Sequence, residues 1–191
     1  DTRTAFEYYH KAKSIWERMV YLEGHSELEE CLARIHANLG LALEATGDIT
    51  EVYSHHDESI AIWLRLINQK GMKEFRFELA KGYYYKARAM KTKEEAAEAV
   101  MLHDKSLEIL NELIYSSGLT EYLGDLAQTR KAKSEKLLAM NRKSDARSEL
   151  EQAIEILESE VKRTGRQVLK DSLEDAKKIL KASFGSSPEK F

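Results

Sequence analysis

Apolar residues recur along this chain at spacings of three and four residues, which is the pattern of an α-helix with one buried face. In the first segment the pattern runs through Tyr9, Ala12, Ile15 and Val20. The only proline is Pro188, near the end of the chain, so no residue before it has to interrupt a helix. The pattern predicts an all-α protein.

Breaks in this pattern divide the chain into eight predicted helices. We expect them over about 3–22, 27–45, 48–71, 73–90, 92–118, 120–140, 142–163 and 166–182. Glycine follows several of these segments, and glycine readily adopts the left-handed conformation that ends a helix. Because the connections are short, consecutive helices must pack antiparallel as hairpins.

Polar residues at the predicted helix starts have the spacing of N-terminal caps. Three capping boxes are predicted, in which a short polar side chain and a glutamate three residues later bond to each other's backbone: Ser26 with Glu29, Asp48 with Glu51, and Thr92 with Glu95. Asn141 is predicted to be the N-cap of the seventh helix.

The same pattern repeats every 47 residues, and columns of similar residues appear when the chain is aligned with itself at that period. One column consists of Gly24, Gly71, Gly118 and Gly165. Another is isoleucine throughout, at Ile15, Ile62, Ile109 and Ile156. A third contains only small residues, at Ala12, Ser59, Ser106 and Ala153. So many matching columns predict a repeat array, in which each hairpin buries its apolar face against its neighbours.

Charge and composition narrow the class of partner. The 30 basic and 33 acidic residues give a net charge of −3, which favours neither a nucleic acid nor an anionic membrane as partner. A single cysteine, Cys31, excludes an internal disulfide framework. No apolar run approaches the roughly 20 residues of a transmembrane helix, and no signal-peptide pattern opens the chain. We expect a soluble, cytoplasmic segment.

The small residues of the columns resemble those of the tetratricopeptide repeat family, in which helices A and B of each hairpin pack closely. The small helix-A position falls on Gly40, Ala87 and Ser134, and one small helix-B position on Ala5, Val52, Ala99 and Ala146. The family's repeats are shorter, about 34 residues, and usually close helix B with a proline. Here that place holds Glu17, Leu64, Asn111 and Glu158, so both helices are expected to be longer. The resemblance implies a superhelical solenoid of antiparallel helical hairpins.

This register predicts how the chain is organised at its ends. Residues 1–183 are expected to form a single repeat domain, and 184–191 a disordered tail. Residues 3–22 correspond to a helix B with no helix A before it, which leaves its apolar flank, including Phe6 and Trp16, without cover. A preceding repeat or self-association would supply that cover. The chain begins at Asp1, within a repeat, so we expect it to be a piece of a longer protein.

The resemblance also implies a concave groove lined by helix A. Its predicted residues are Arg34, Ala37, Asn38 and Leu41; Lys81, Tyr84, Tyr85 and Arg88; and Gln128, Lys131, Ala132 and Glu135. Cationic and amide side chains with tyrosines suit a bound peptide. The positions of the family's carboxylate clamp are only partly filled, so binding of chaperone tails is not expected. The alternative is that these residues are only solvated helix surface.

The remaining polar residues do not indicate a catalytic or metal-binding site. At most two of Tyr83, Tyr84 and Tyr85 can face the groove, so one is expected in the core. His56 and His103 occupy equivalent columns, which favours a packing role over a metal site. No motif for a nucleophile, a phosphate loop or a metal is present, so no enzyme activity, cofactor or metal is expected.

The sequence therefore predicts a noncatalytic protein interaction scaffold that binds a peptide or a partner's helix in the helix-A groove. The alternative is an oligomerisation segment of a larger protein, which acts through its exposed terminal helices.

Overall fold

The computed structural model describes residues 2–44 and 49–185, with side chains from residue 7 onward. Several sequence predictions lie outside the described residues. These are the Asp48 cap, the side chains of Ala5 and Phe6, and the tail beyond residue 185.

The described residues form an all-α structure with eight α-helices and no strand, as the apolar pattern predicts. The helices are α1 (Thr2–Glu17), α2 (Glu29–Leu43), α3 (Ile49–Lys70), α4 (Arg76–Ala89), α5 (Ala96–Asn111), α6 (Leu123–Ala139), α7 (Lys143–Thr164) and α8 (Gln167–Phe184).

Short non-α turns extend or precede several helices. A π-helical turn continues α1 over Arg18–Leu22, and another continues α5 over Glu112–Ser116. A 3₁₀ turn precedes each of α2, α4 and α6, at Ser26–Leu28, Lys73–Phe75 and Thr120–Tyr122. The predicted starts of these helices fall within the 3₁₀ turns, because 3₁₀ turns are frequent at helix termini and a helix boundary is defined only to within one or two residues.

The glycine column ends helices as predicted. Gly24, Gly71, Gly118 and Gly165 have φ angles of 80°, 72°, 75° and 67°, all in the left-handed region. A side chain with a Cβ atom is strained there, whereas glycine is not. The repeat is therefore visible in the backbone as well as in the sequence.

Of the two capping boxes that fall within the described residues, one forms its reciprocal bonds, in the turn before α5, whose N-cap residue Glu95 has no side-chain cap itself. The Thr92 hydroxyl and amide both donate to the Glu95 carboxylate, at 2.8 and 3.1 Å, and the Glu95 amide donates back to the Thr92 hydroxyl at 3.3 Å. The Ser26 prediction is wrong, because neither the 3₁₀ turn nor α2 has a side-chain cap. Glu29 instead pairs with Arg65 of α3, which tertiary packing brings within 3.1 Å.

Asn141 has a different role from the predicted one. It has a φ of 58° and its amide donates to the Leu138 carbonyl, so it ends α6. The position before α7 is taken by Arg142, with no side-chain cap. Asparagine adopts the left-handed conformation more readily than most residues that have a side chain. It can therefore either end one helix or cap the start of the next.

The chain divides into two compact units, Asp1–Met90 and Lys91–Phe191, which we call the N-terminal and C-terminal units. In the N-terminal unit each of α1, α2 and α3 packs against the next helix. In the C-terminal unit α5 to α8 pack in the same sequential way, and α8 also touches α6. Each unit has its own buried apolar residues, such as Leu39 and Ile62 in the first and Leu126 and Leu157 in the second.

Small residues lie where two helices approach each other. Ser59, Ser106 and Ala153 of one column are fully buried, as is Ala146 of another. A Cβ atom added to Gly40 would lie 2.7 Å from Cε1 of the His56 ring, which is closer than atoms can approach. The small-residue columns are therefore packing positions within each unit, as the sequence predicts.

Candidate functional site

A cavity of about 220 Å³ lies in the N-terminal unit between α2, α3 and α4. Six predicted groove residues line it: Arg34, Ala37, Asn38, Leu41, Lys81 and Tyr85. They come from α2 and α4, while α3 contributes the residues beneath them. Three helices thus bring together positions that are far apart in the sequence.

The cavity carries an excess of positive charge. Arg34 and Lys81 both approach the carboxylate of Glu78, at 3.4 and 3.2 Å. One carboxylate compensates two cations, so the three side chains together keep a charge of about +1. Asn38 is exposed beside them and adds a neutral amide. Glu78 was not predicted from the sequence, although its place one helical turn before Lys81 is the signal that would have found it.

The floor of the cavity is aromatic and partly polar. Trp63 lies beneath Arg34, whose guanidinium is 5.8 Å from the ring centroid, and only 1% of Trp63 is exposed. Ser59 also lines the cavity, and its buried hydroxyl has no hydrogen-bond partner among the described residues. Gly82 keeps α4 close to α3, since an added Cβ would lie 3.0 Å from Ile60.

Arg88 is held by its neighbours in α2 and α4. Its guanidinium donates to both oxygens of Glu44, at 2.9 and 3.1 Å, and lies 5.0 Å from the centroid of Tyr85. Burial alone would raise the pKa of Glu44, but the nearby His56 ring, 3.9 Å away, and the hydrogen bonds from Arg88 outweigh it and lower that pKa. Arg88 therefore helps to hold the Tyr85 ring in place, in addition to contributing a positive charge to the surface.

The three consecutive tyrosines separate as predicted. Tyr83 is buried, and burial raises the pKa of its hydroxyl. Tyr85 lines the cavity, while Tyr84 packs edge-on against Tyr85 at 5.3 Å between ring centroids. Only one of the three tyrosines faces the cavity directly.

The predicted groove residues of the C-terminal unit lie beside α8. The Gln128 amide donates a hydrogen bond to the hydroxyl of Ser172, and Lys131 lies 3.8 Å from Asp175. Ala132 is buried and Glu135 is exposed. The sequence indicated α8 only as a polar last helix, so its contacts with Gln128 and Lys131 were not expected.

The same geometric relation recurs in both units. Arg34 with Glu78, Arg88 with Glu44, and Gln128 with Ser172 are each 44 residues apart, close to the repeat period. Residues three short of a full period apart therefore meet between α2 or its C-terminal end and α4, and between α6 and α8.

Histidines form a second polar cluster, which the sequence analysis did not identify. Nδ1 of His36 and Nδ1 of His55 are 3.0 Å apart and buried between α2 and α3, and the His10 ring of α1 lies 6.3 Å from that of His55. Burial first, and then the charge of His55 for His36 and of Lys13 for His55, lowers both pKa values to about 4. A neutral pair results, in which one ring donates to the other.

His56 and His103 are both fully buried, which confirms the packing role predicted for their column. Burial lowers the pKa of His103 to about 3. Among the residues that the structure describes, no group of three or more histidine, cysteine or carboxylate side chains has the geometry of a metal site.

None of the described helices combines the length and apolar character needed to cross a bilayer. Comparison with known proteins gave no match to a family model and no significant similarity to a curated protein. The likeness to tetratricopeptide repeats therefore rests on the residues quoted above.

Proposed function

We propose that this chain is a noncatalytic interaction module of tetratricopeptide-like hairpins that binds a peptide or a partner's helix. The binding surface is the cavity of the N-terminal unit between α2, α3 and α4. Its ligand is a segment in which an acidic side chain lies next to a large apolar one. The acid pairs with Arg34 and Lys81, and the apolar group packs against Tyr85 and Trp63.

A single observation carries this proposal: two cations share the one carboxylate of Glu78 at the mouth of a cavity with an aromatic floor. The surplus charge attracts a second carboxylate, and a guanidinium or ammonium binds carboxylates by charge-assisted hydrogen bonds.

The size of the cavity limits what it can hold. The cavity volume of about 220 Å³ accommodates one large side chain rather than a whole helix. The rest of a partner would then lie on the exposed surface around Arg34 and Asn38.

A peptide array tests the proposal. We expect this chain to select peptides with adjacent acidic and aromatic or aliphatic residues, and the double variant Arg34→Glu with Lys81→Glu to weaken their binding about tenfold or more. Lys73→Glu is the matched control, because Lys73 is exposed in the same unit but does not line the cavity.

Equal binding by the double variant and the wild type would refute the groove assignment. So would a selection of basic peptides, because they would be repelled by the surplus positive charge at the cavity mouth.

A further inference from the structure

The first helix has an apolar side that the described residues leave largely exposed. Tyr8 and Ile15 lie two helical turns apart on α1 and are 67% and 51% exposed. We call these two residues the α1 stripe.

The repeat identifies what covers this side in other hairpins. One period later the equivalents of Tyr8 and Ile15 are His55 and Ile62 of α3, which are only 7% and 1% exposed. His55 contacts His36 of α2, the helix A of its own hairpin. In the C-terminal unit the equivalent of Tyr8 three periods later is Glu149 of α7. Glu149 pairs with Arg130 of α6 at 2.6 Å. The stripe therefore corresponds to a side that binds a helix A.

Charged residues at the end of this side indicate which polar residue a helix bound there would carry. In α3, Arg65 pairs with Glu29 at the start of α2, at 3.1 Å, and Lys70 pairs with the same carboxylate at 3.2 Å. The equivalent of Arg65 is Arg18, in the π-helical turn after α1, and the equivalent of Lys70 is Glu23. Arg18 is exposed and pairs with Glu23 at 3.0 Å. An acid at the position of Glu29 would therefore compete with Glu23 for the Arg18 guanidinium.

Packing sets a second requirement. Gly40 of α2 lies directly beneath the His56 ring, and the equivalent of His56 on α1 is Tyr9. A helix that binds α1 in the same way needs a small residue at the place of Gly40, because a Cβ there already meets the ring. The tyrosine ring is larger than the histidine ring, which makes the requirement stricter.

We propose that the α1 stripe is a docking site for a partner's amphipathic helix in the register of α2. That helix has an acidic residue in its first turn, which pairs with Arg18, and a glycine, alanine or serine three turns later, opposite Tyr9. Apolar residues between them cover Tyr8 and Ile15. This surface is distinct from the cavity between α2, α3 and α4.

A second copy of this chain fits the stripe less well. Two α1 helices related by a two-fold axis through Ile15 would place Lys11 of one beside Arg18 of the other, and like charges repel. α8 is the other candidate, because it too is in the helix-A register. It carries Lys181 where α2 has Gly40, so it cannot approach Tyr9 closely.

The test uses a fluorescently labelled peptide with the sequence of residues 26–44, which contains Glu29 and Gly40 in the required register. We expect the full chain to bind this peptide, and Ile15→Glu to weaken the binding at least about tenfold. Met101→Glu is the matched control, since Met101 is 63% exposed on another helix B, α5, and binding should stay within about twofold of the wild type.

A charge exchange sharpens the result. Arg18→Glu should weaken binding several-fold, and a peptide with Glu29→Lys should bind Arg18→Glu better than it binds the wild type. Restoration by the exchanged pair requires direct contact, which a merely structural effect of Arg18→Glu would not produce.

Three outcomes would overturn the proposal. The first is peptide binding that Ile15→Glu leaves unchanged, as expected if the peptide displaced α2 from α3. The second is an absence of binding. The third is a concentration-dependent dimer in light scattering that Ile15→Glu abolishes, because a second copy would then be the occupant.

Discussion

Helices α2, α3 and α4 of the N-terminal unit and α6, α7 and α8 of the C-terminal unit share one repeat framework, but different polar pairs occupy it. The buried His36 and His55 pair of the first group is replaced, two periods later, by Arg130 and Glu149. The first pair loses its hydrogen bond once both rings are protonated, because neither ring nitrogen can then accept, whereas the second is held by opposite charges. The framework fixes where two side chains meet, and their identity decides the conditions under which they stay together.

The groove positions differ in the same way. In the first group two cations share Glu78 above an aromatic floor. In the second, the residues equivalent to Arg34 and Glu78 are Gln128 and Ser172, which form a neutral hydrogen bond. The difference shows how one repeat can present charged side chains at positions that another repeat fills with a neutral hydrogen bond.

The largest expected effect is a loss of N-terminal unit stability in acid. Folding lowers the pKa values of His36 and His55 from 6.5 to about 4, so the unfolded chain binds more protons between those values. Stability is then full above about pH 6.5 and falls as the pH drops toward 4, by at most on the order of 3 kcal/mol for each ring. Both tryptophans, Trp16 and Trp63, lie in this unit, so tryptophan fluorescence in urea titrations at several pH values measures it separately.

The matched variant replaces His36 with Arg and His55 with Glu, the pair found in the other group. We expect the dependence of unfolding free energy on pH to become shallower between pH 4 and 6.5, whatever the absolute stability. His103 gives the C-terminal unit one group of the same kind, so that unit should also lose stability, but less. A variant with the slope of the wild type would contradict this origin of the acid sensitivity.

The next effect comes from the close contact beneath His56. Gly40→Leu should destabilise the N-terminal unit by about 1–3 kcal/mol, because the new side chain meets the histidine ring. Urea denaturation followed by circular dichroism and fluorescence measures the change. His56→Ala should reduce the cost of Gly40→Leu in a double-mutant cycle. If the two substitutions acted additively, the proposed contact would be wrong.

A smaller difference in stability between the two units is expected when predicted capping residues are replaced. Thr92→Ala should destabilise the C-terminal unit by about 1 kcal/mol, since it removes the reciprocal bonds with Glu95. Ser26→Ala has the same sequence spacing but no cap to remove, and its effect on the N-terminal unit should stay below about 0.5 kcal/mol. Thermal melts of both variants measure the two stability losses. Equal losses would contradict the prediction.

The smallest effect concerns the shared carboxylate. Glu78→Gln should strengthen binding of an acidic peptide about two- to five-fold, because it frees Arg34 and Lys81 from their internal partner. Fluorescence anisotropy with a peptide selected from the array measures the affinity. Glu74→Gln, at an exposed residue one helical turn earlier, is the control. Weaker binding by Glu78→Gln would indicate that the carboxylate positions the cations rather than competing for them.

Much of the candidate site followed from the repeat, because a fixed period carries a residue's place from one hairpin to the next. Arg34, Asn38, Lys81 and Tyr85 could be assigned to one surface in this way, and the cavity contains all four. The repeat period could not identify Glu78 or the histidine pair, because the residues that pair across helices vary freely between repeats. The two N-cap predictions at Ser26 and Asn141 failed for a related reason: a local motif has several possible partners, and tertiary contacts select among them.

By itself the sequence determined that the chain is helical, where its helices end, and which small residues lie at close contacts. These features depend on local spacing and on backbone conformations that few residues besides glycine adopt. Only the tertiary structure decided that Glu29 bonds across to Arg65, that two cations share Glu78, and that α1 keeps Tyr8 and Ile15 exposed. Such pairings depend on which side chains the folded helices bring within reach, and distance along the chain does not encode that.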